Sequence, residues 1–407
     1  MSEFARGSGP LFAATIGTMC GLITITNYSQ GFFVGPVITE FGWTPGQFFL
    51  GFTVMMCAGL ITAPVIGSLA QKYGIRTIGM IGLVGHSIGY FLISLNPNSL
   101  PLWYASWALL AVLAAGSLPI IWTSVLNGWF VKNRGKAVGI TMAGTGIGAF
   151  LLPPIVETII TGNGWRTAYQ SIGIGALIIS LPIVFLLFRE NQAALSEDNS
   201  SSSSTWGMTR GEAMASAKFW ILGAVLFLTV FVVVGLLSNF ERIVSAKGIE
   251  RSTIAAVATV IGVTVILGRL LVGALVDRFW APGVASFFFT LPIVAILLLV
   301  HAPFSMTIGV IIAIFIGLAA GAELDLLAYL TSKYFGPKHY AKIFGGIFAF
   351  FTVGAGIAPP VFGEMAAATG SYTTPLYLAI AILSVCIVLF LMLGRYPDQA
   401  LAEMESL

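Results

Sequence analysis

The sequence predicts an all-α membrane protein of twelve transmembrane helices, arranged as two pseudo-symmetric six-helix bundles. An apolar composition, twelve long apolar runs and an internal repeat predict this fold. Hydrophobic residues make up 57% of the 407 residues and charged residues 9%, whereas a soluble protein carries about 25% charged residues. The mean hydropathy of +0.96 is that of a chain whose surroundings are the lipid bilayer.

The apolar runs divide the chain into twelve spans, each close to the roughly 20 residues that cross a bilayer. The first six lie near 11–38, 47–70, 77–95, 101–129, 136–160 and 167–189. The second six lie near 219–245, 253–278, 283–302, 305–334, 341–366 and 374–396. Residues 190–218 are polar and Ser-rich, which predicts a flexible linker between an N-terminal bundle (1–189) and a C-terminal bundle (219–407).

Basic residues predict the orientation. Of the 19 Lys and Arg residues, Arg269 lies inside a span, four lie on one side of the membrane (Arg166, Arg242, Lys247 and Arg251), and the rest lie on the side of the linker. Cytoplasmic loops carry the excess of Lys and Arg. We therefore expect both termini and the linker in the cytoplasm, with the chain in the cell (inner) membrane and monomeric.

The two halves repeat each other at an offset of 206 residues. GSLAQKY (67–73) aligns with GALVDRF (273–279), and GAFLLPPIV (148–156) aligns with GAGIAPPVF (354–362). The same offset places Gly42 on Gly248 and Gly164 on Gly370. Six spans per copy predict parallel repeats about an axis along the membrane normal, the architecture of transporters that rock two bundles around a midplane site.

These motifs resemble known families. GSLAQKYGIR (67–76) and GALVDRF resemble the cytoplasmic loop signature of the major facilitator superfamily, which implies a gating role for Gly67, Gln71, Arg76, Gly273, Asp277 and Arg278. The family's acidic residue is Gln71 in the first copy and Asp277 in the second, so a gating charge is expected only in the C-half. WFVKNRGKAVGITMAGTGIG (129–148) and GRLLVGAL (268–275) resemble the monocarboxylate transporter family, especially its bacterial members and the oxalate/formate antiporter branch.

Arg269 is the central candidate residue. It is the only charge between Arg251 and Asp277, and a guanidinium does not deprotonate in a protein. Placing it in a membrane costs roughly 2.5–3.5 kcal/mol on insertion scales. The resemblance assigns it the role of the substrate-binding arginine. From the residues alone, a permanent salt bridge to Asp325 or Glu323 is the competing interpretation.

Asp325 and Glu323 are the candidate proton carriers, because they are the only charges between His301 and Lys333. They stand two residues apart on a helix, so at most one of them faces Arg269. Burial opposes the charged form of a carboxyl and a nearby arginine favours it, so substrate binding can change its protonation. A purely structural acid is the alternative for either residue. The animal monocarboxylate transporters carry an aspartate one turn before this arginine, where this chain has Val265.

Other polar and aromatic residues complete the predicted substrate site, each with packing as the alternative. Asn27, Tyr28 and Asn239 are the candidate hydrogen-bonding residues, and the candidate walls of the cavity are Trp122, Tyr329, Phe348 and Phe351. Glu157 and Glu364, near the outer ends of spans five and eleven, are expected to have surface or vestibule roles.

One buried cation favours a small monocarboxylate such as lactate or pyruvate, carried with a proton. Oxalate would favour two cations, yet span eleven has no Lys or Arg beyond Lys342 at its edge. The main alternative is anion exchange without a proton. Transport of lipidic anions is a second, minor alternative. The sequence has no metal-ligand spacing, phosphate loop or nucleophile motif, and no basic block for nucleic acid, so we expect neither an enzyme nor a cofactor.

Overall fold

A computed structural model describes residues 3–130, 133–191, 207–336 and 339–397, and in these ranges the regular structure is helical throughout. Within them, ten helices are long and apolar enough to cross a membrane. One of these, Arg134–Leu187, breaks at Gly164 (φ 80°, ψ 166°) and supplies two spans. The shorter apolar helix Leu100–Leu113 supplies the remaining one. The predicted twelve-span, all-α fold is therefore confirmed.

The spans keep their predicted order. Span one is formed by the helices Glu3–Met19 and Leu22–Phe41, span two by Pro45–Tyr73, span three by Ile75–Ser94, span four by Leu100–Leu113 and Pro119–Ser124, and spans five and six by Arg134–Leu187. Spans seven to twelve are Ala217–Ser245, Arg251–Val276, Ala281–His301, Met306–Phe335, Tyr340–Thr369 and Thr373–Met392.

Spans one and four are both interrupted, and the two interruptions touch. Span one breaks at Cys20 and Gly21, and span four passes through a 3₁₀ turn at Ala115–Ser117. The Leu22 amide donates a hydrogen bond to Ser117 Oγ at 3.2 Å. A Cβ on Gly21 would lie 2.7 Å from the Ser117 carbonyl oxygen. Such contacts satisfy backbone groups that a broken helix leaves unpaired in a membrane.

The glycines aligned by the repeat all have a positive φ angle. Gly42, Gly248, Gly164 and Gly370 have φ angles of 71°, 77°, 80° and 69°, a region that residues with a Cβ rarely adopt. A Cβ at any of the four would have no neighbour within 4 Å, so the backbone, rather than packing, requires glycine. The repeat thus preserves the requirement for a positive φ, although Gly164 (ψ 166°) and Gly370 (ψ 7°) differ in ψ.

The two ends of the bundle differ in how closely the halves approach. We call the end with Tyr73, Leu187 and Ala217 the linker end, and the opposite one the far end. The halves meet where span five packs on span eight, span two on span eleven and span one on span seven. A Cβ on Gly262 of span eight would lie 2.1 Å from the Phe150 backbone nitrogen, and one on Gly363 of span eleven 2.9 Å from Pro45.

Toward the linker end the same helix faces separate. Gly139 lies seven residues before Gly146, on the face of span five that contacts span eight. A Cβ on Gly146 would touch Ile266 at 2.3 Å, whereas Gly139 has nothing within 4 Å. On span two, Met56 lies 3.1 Å from a Cβ built on Gly356, but Gly59 has nothing within 4 Å. The protein is therefore closed at the far end and open at the linker end.

The predicted linker is partly ordered. Residues 192–206, which include its serine run, lie outside the described residues. Beyond them, the short helix Arg210–Ala215 begins with a capping box between Thr209 and Glu212. The Met208 amide donates to the Phe335 carbonyl oxygen at 2.8 Å, at the end of span ten. The second part of the predicted linker therefore contains a capped helix that docks beside span ten, and the role of 190–218 as the linker between two bundles stays a prediction.

Gly370→Ala should lower stability by about 1 kcal/mol, since alanine is strained at φ 69° even with free space around it. The apparent melting temperature in detergent measures this. Gly175→Ala is the matched control, because Gly175 has equal space but lies in an ordinary helical region. Equal melting temperatures for both variants would contradict the backbone argument.

Candidate functional site

Glycines bring spans eight and ten close enough to place their charges together. A Cβ on Gly268 would lie 2.4 Å from the Leu318 carbonyl oxygen, and one on Gly321 would lie 2.2 Å from that of Val265. These two glycines flank the level of Arg269, Glu323 and Asp325. Close backbone approach through small residues is how membrane helices pack when no water drives them together.

Arg269 is largely buried and makes only long contacts. Its side chain is 10% exposed, and Nη1 lies 3.5 Å from Asp325 Oδ1. Nη2 lies 3.5 Å from Thr145 Oγ1 on span five of the other half. Nε and Nη1 have no hydrogen-bond partner among the described residues. A buried polar group without a partner is unfavourable, so this guanidinium has donors left for an anion.

The two acids differ in their surroundings, as their spacing predicts. The Asp325 side chain is 41% exposed and faces Arg269. Glu323 is 4% exposed, and its Oε1 lacks a hydrogen-bond partner among the described residues. Arg269 lies within electrostatic range of both acids. Asp325 is therefore the acid in contact with the open gap, and Glu323 is the enclosed one.

Span one contributes polar groups from the N-half. Tyr28 lies within electrostatic range of Arg269 and Glu323. Asn27 Oδ1 is buried without a hydrogen-bond partner in the described structure. Both residues line a cavity between the halves, together with Pro153, Leu237 and Glu241. The structure thus brings Tyr28 near Arg269 and Glu323, whereas Asn27 is placed only in this cavity, with Glu241.

Aromatic rings of span eleven form a continuous series toward the linker end. Phe348 and Phe351 stack at 4.9 Å between ring centroids, and the series continues through Phe344 to Tyr340. Tyr340 lies within electrostatic range of Asp325 and of Arg134 on span five. Tyr340, at the start of this series, therefore lies near Asp325, and the wall role of Phe348 and Phe351 stays a prediction.

Three other predicted site residues have packing roles instead. Trp122 is fully buried and donates from Nε1 to the Ser117 carbonyl oxygen at 2.9 Å. Asn239 is fully buried, donates to Gly235 at 3.0 Å and accepts from Tyr372 at 3.2 Å. Tyr329 donates to the Val276 carbonyl oxygen at 3.1 Å, at the linker end. The structure gives no support for the predicted contact of these three residues with substrate, because their polar atoms already form hydrogen bonds to protein groups.

The gating motif is disengaged at the open end. Gly67 and Gly273 have nothing within 4 Å of an added Cβ, and Gln71, Asp277 and Arg278 are exposed. Arg76 bonds within its own half, since its amide donates to Glu190 Oε1 at 3.1 Å and its guanidinium donates to the Phe185 carbonyl oxygen. In this conformation, the described contacts of the motif do not join the two halves.

The far end is closed by charges that sequence reasoning placed at the surface. Arg251 contacts Glu157 across the halves at 3.0 Å and Glu241 at 3.6 Å. Thr44 donates to Glu364, which joins spans two and eleven. The vestibule role expected for Glu157 and Glu364 is replaced by direct contact between the halves. In the sequence, each of these two residues is visible only as a carboxylate near the end of a span. Such residues are too common for the sequence to identify a contact between the halves.

Two helical bundles around a charged site, open at one end, define a membrane transporter of small solutes. Residues 15–345 and 244–405 match the sequence profile of the Major Facilitator Superfamily. The chain belongs to this superfamily, and it is a multi-pass membrane protein.

Curated relatives are distant. An uncharacterised 38 kDa protein of Thermoproteus tenax is 26% identical over 342 residues, which are 84% of each chain. The uncharacterised MFS-type transporter YhjX of Escherichia coli is 23% identical, with 87% of each chain covered. Monocarboxylate transporter 12 of Xenopus laevis is 26% identical over 80% of this chain and 76% of its own.

Among solved structures, a bacterial homologue of the human lysosomal transporter Spinster, inward-facing and occupied, superposes with a TM-score of 0.72 at 18% identity. The superposition covers 98% of this chain and 99% of that one. At this identity the likeness shows the fold.

A cysteine at Gly139 should react quickly with a water-soluble maleimide, because the gap at the linker end admits water to this face of span five. The chain should first have its exposed Cys57 replaced by serine. Labelling rate in lipid nanodiscs is the measurement. Thr145→Cys is the matched control, as Thr145 lies on the same helix at 7% exposure and should react more slowly. Equal rates at the two positions would show that the halves are not separated as described.

Proposed function

We propose that this protein carries small monocarboxylate anions together with a proton, by alternating access, and that Arg269 binds the carboxylate. The unused donors of Arg269 support this proposal most directly. A carboxylate matches the planar fork of a guanidinium and accepts two parallel hydrogen bonds from it. Nε and Nη1 lack hydrogen-bond partners in the described residues, and Nη2 makes only a 3.5 Å contact with Thr145. A carboxylate can therefore bind through Nε together with Nη2, or through Nη1 together with Nη2.

The charge balance of the site favours proton coupling. Without substrate, Arg269 and Asp325 face each other at 3.5 Å as one positive and one negative group. A monocarboxylate that takes over Arg269 leaves Asp325 as an excess negative charge in a poorly solvated place, which is unfavourable. One proton on Asp325 restores neutrality. Because Asp325 is partly exposed, a proton from the gap reaches it.

Glu323 has a different role in this scheme. Its enclosed position favours the neutral acid, which is a hydrogen-bond donor. Together with the Tyr28 hydroxyl it offers polar contacts to a substituent beside the carboxylate, such as the oxygen on the second carbon of lactate or pyruvate. Tyr28 belongs to the N-half and Arg269 to the C-half, so a substrate held by both joins the halves.

The substrate is inferred to be a single carboxylate rather than oxalate. A second carboxylate calls for a second cation, and Lys342 is an exposed residue in the first turn of span eleven, at the linker end. The wall of Phe348 and Phe351 suits a small apolar group. The Xenopus laevis relative is named as a transporter of this class, monocarboxylate transporter 12.

The excess of Lys and Arg at the linker end favours a cytoplasmic linker and termini. The open gap then faces the cytoplasm, and the far end faces outward from the cell membrane. We take the transporting unit to be one chain, since both halves of the site belong to it.

Anion exchange is the second candidate. The contact between Arg269 and Asp325 lacks hydrogen-bond geometry, so a substrate anion displaces Asp325 easily. If Asp325 then turns to water in the open gap, no proton is needed. In that case one anion enters as another leaves, as in the oxalate/formate antiporter branch that the sequence resembles.

Arg269→Gln should weaken lactate binding by roughly 10- to 100-fold, because hydrogen bonds to a charged group contribute about 1.5–3 kcal/mol. Calorimetric titration in detergent measures the dissociation constant. Arg166→Gln is the control, since Arg166 pairs with Glu40 at 2.6 Å at the exposed far end and should bind lactate normally. Unchanged binding by folded Arg269→Gln protein would exclude Arg269 as the carboxylate site.

Asp325→Asn should abolish uptake driven by an inward proton gradient but retain exchange between labelled and unlabelled lactate in proteoliposomes. Asparagine keeps the shape of the side chain and cannot carry the proton. Glu323→Gln should retain proton-driven uptake, since an amide resembles the neutral acid. Wild-type protein that exchanges lactate but shows no proton-driven uptake would instead indicate anion exchange.

A further inference from the structure

At the far end, one arginine is shared by two carboxylates that lie in different halves of the protein. Arg251 begins span eight, and its Nε donates to Glu157 Oε2 on span five at 3.0 Å. The same nitrogen lies 3.6 Å from Glu241 Oε1 on span seven. Arg251 also donates from Nη2 to the Phe32 carbonyl oxygen of span one at 2.8 Å. Arg251 is thus the group that joins the C-half to spans one and five of the N-half here.

This cluster is largely withdrawn from water. The Glu157 and Glu241 side chains are 9% and 6% exposed, and that of Arg251 is 32% exposed. The cluster separates the cavity lined by Tyr28 and Glu241 from a groove lined by Glu157 and Ser252 at the far-end surface. It therefore occupies the path between the candidate substrate site and the far side of the membrane.

Neighbouring groups satisfy each carboxylate only in part. Thr161 donates to Glu157 Oε1 at 3.1 Å, and Ser245 donates to Glu241 Oε1 at 2.9 Å. Arg242 is the other cation nearby, but its Nε donates to the Tyr372 hydroxyl at 2.9 Å. It attracts Glu241 less strongly than Arg251 does. Arg251 thus has to balance most of two negative charges.

We propose that Glu241 and Glu157, through their shared Arg251, form a proton-binding site that makes closure of the far end proton-dependent. In the closed state, Glu157 holds Arg251 by a direct hydrogen bond, and the more distant Glu241 takes the proton. Two buried carboxylates beside one guanidinium leave an excess negative charge, which a proton removes. The site lies apart from Arg269 and does not depend on the identity of the substrate.

Opening of the far end reverses this proton uptake by Glu241. Glu157 moves away with the N-half and enters water, where it stays ionised at neutral pH. Glu241 stays in the C-half beside Arg251, which now balances it alone, so Glu241 releases its proton. The closed state therefore binds one proton more than the open state. Acid favours closure, and the ratio of open to closed protein rises with pH by at most tenfold per unit.

Distances between spin labels at Asn163 and Lys247, one exposed residue at the far end of each half, test this without any substrate. The protein is studied in nanodiscs with its cysteines replaced, between about pH 5 and pH 9, where a one-proton linkage is visible. We expect the long-distance, far-open population to grow as pH rises. A second pair at Lys72 and Lys342, exposed at the linker end, should shorten in parallel.

Two variants should act in opposite directions. Glu241→Gln imitates the protonated acid and leaves the bond between Arg251 and Glu157 intact, so the far end should stay closed at every pH. Glu157→Gln lets Arg251 pair with Glu241 within the C-half, so the far end should be open at every pH. Both variants should therefore lose the pH response of the wild-type protein.

Glu364→Gln is the matched control. Glu364 accepts a hydrogen bond from Thr44 of the other half at the same far end, and it has no basic partner among the described contacts. It should favour the open state but keep the wild-type pH slope. The proposal is overturned if the wild-type distances do not respond to pH or if the open population grows in acid. A wild-type slope in both Glu157→Gln and Glu241→Gln would also overturn it. The proposal is also overturned if sodium chloride at fixed pH changes the distances as much as pH does, because a metal cation would then replace the proton in this role.

Discussion

A charge that cannot be neutralised by losing a proton sits in the apolar interior of this protein, and much of the architecture accommodates it. Arg269 needs an anion nearby, and span ten supplies one through Asp325. That pairing requires spans eight and ten to approach to backbone contact, which Gly268 and Gly321 permit. The arginine also reaches across to Thr145 of the other half. Its position therefore links helix packing, the candidate site and the relation between the two bundles.

Charge at the far end is arranged on a different principle. Arg269 has more donors than partners, whereas Arg251 has more carboxylate than it can balance. The first arrangement suits the capture of an anion that arrives. The second suits the capture of a proton. Both lie where the halves meet, so each charge balance changes when the halves move.

The spans, the repeat and the charged positions were predictable because each leaves a strong local pattern. Apolar runs fix the spans, and the 206-residue offset aligns Gly42 with Gly248 and Gly164 with Gly370, four glycines with positive φ angles. The direction of a polar side chain is decided by its neighbours in three dimensions. Trp122, Asn239 and Tyr329 are polar residues within apolar helices, yet each finds a backbone or side-chain partner inside its own half. The Arg251 cluster joins residues nearly a hundred positions apart, and no local pattern encodes that contact.

The glycines that face the open gap at the linker end have no close contact in this conformation that explains why these positions are glycine. Glycine within a helix costs roughly 0.5–1 kcal/mol relative to alanine, and Gly59, Gly139 and Gly345 gain no close contact in return here. Their counterparts toward the far end, such as Gly146 and Gly262, are pressed against the opposite half. If the linker end closes in another conformation, these positions would meet the opposite half as Gly146 and Gly262 do here. Tolerance to substitution judged from this state alone would then rank as free positions that the closed linker end constrains.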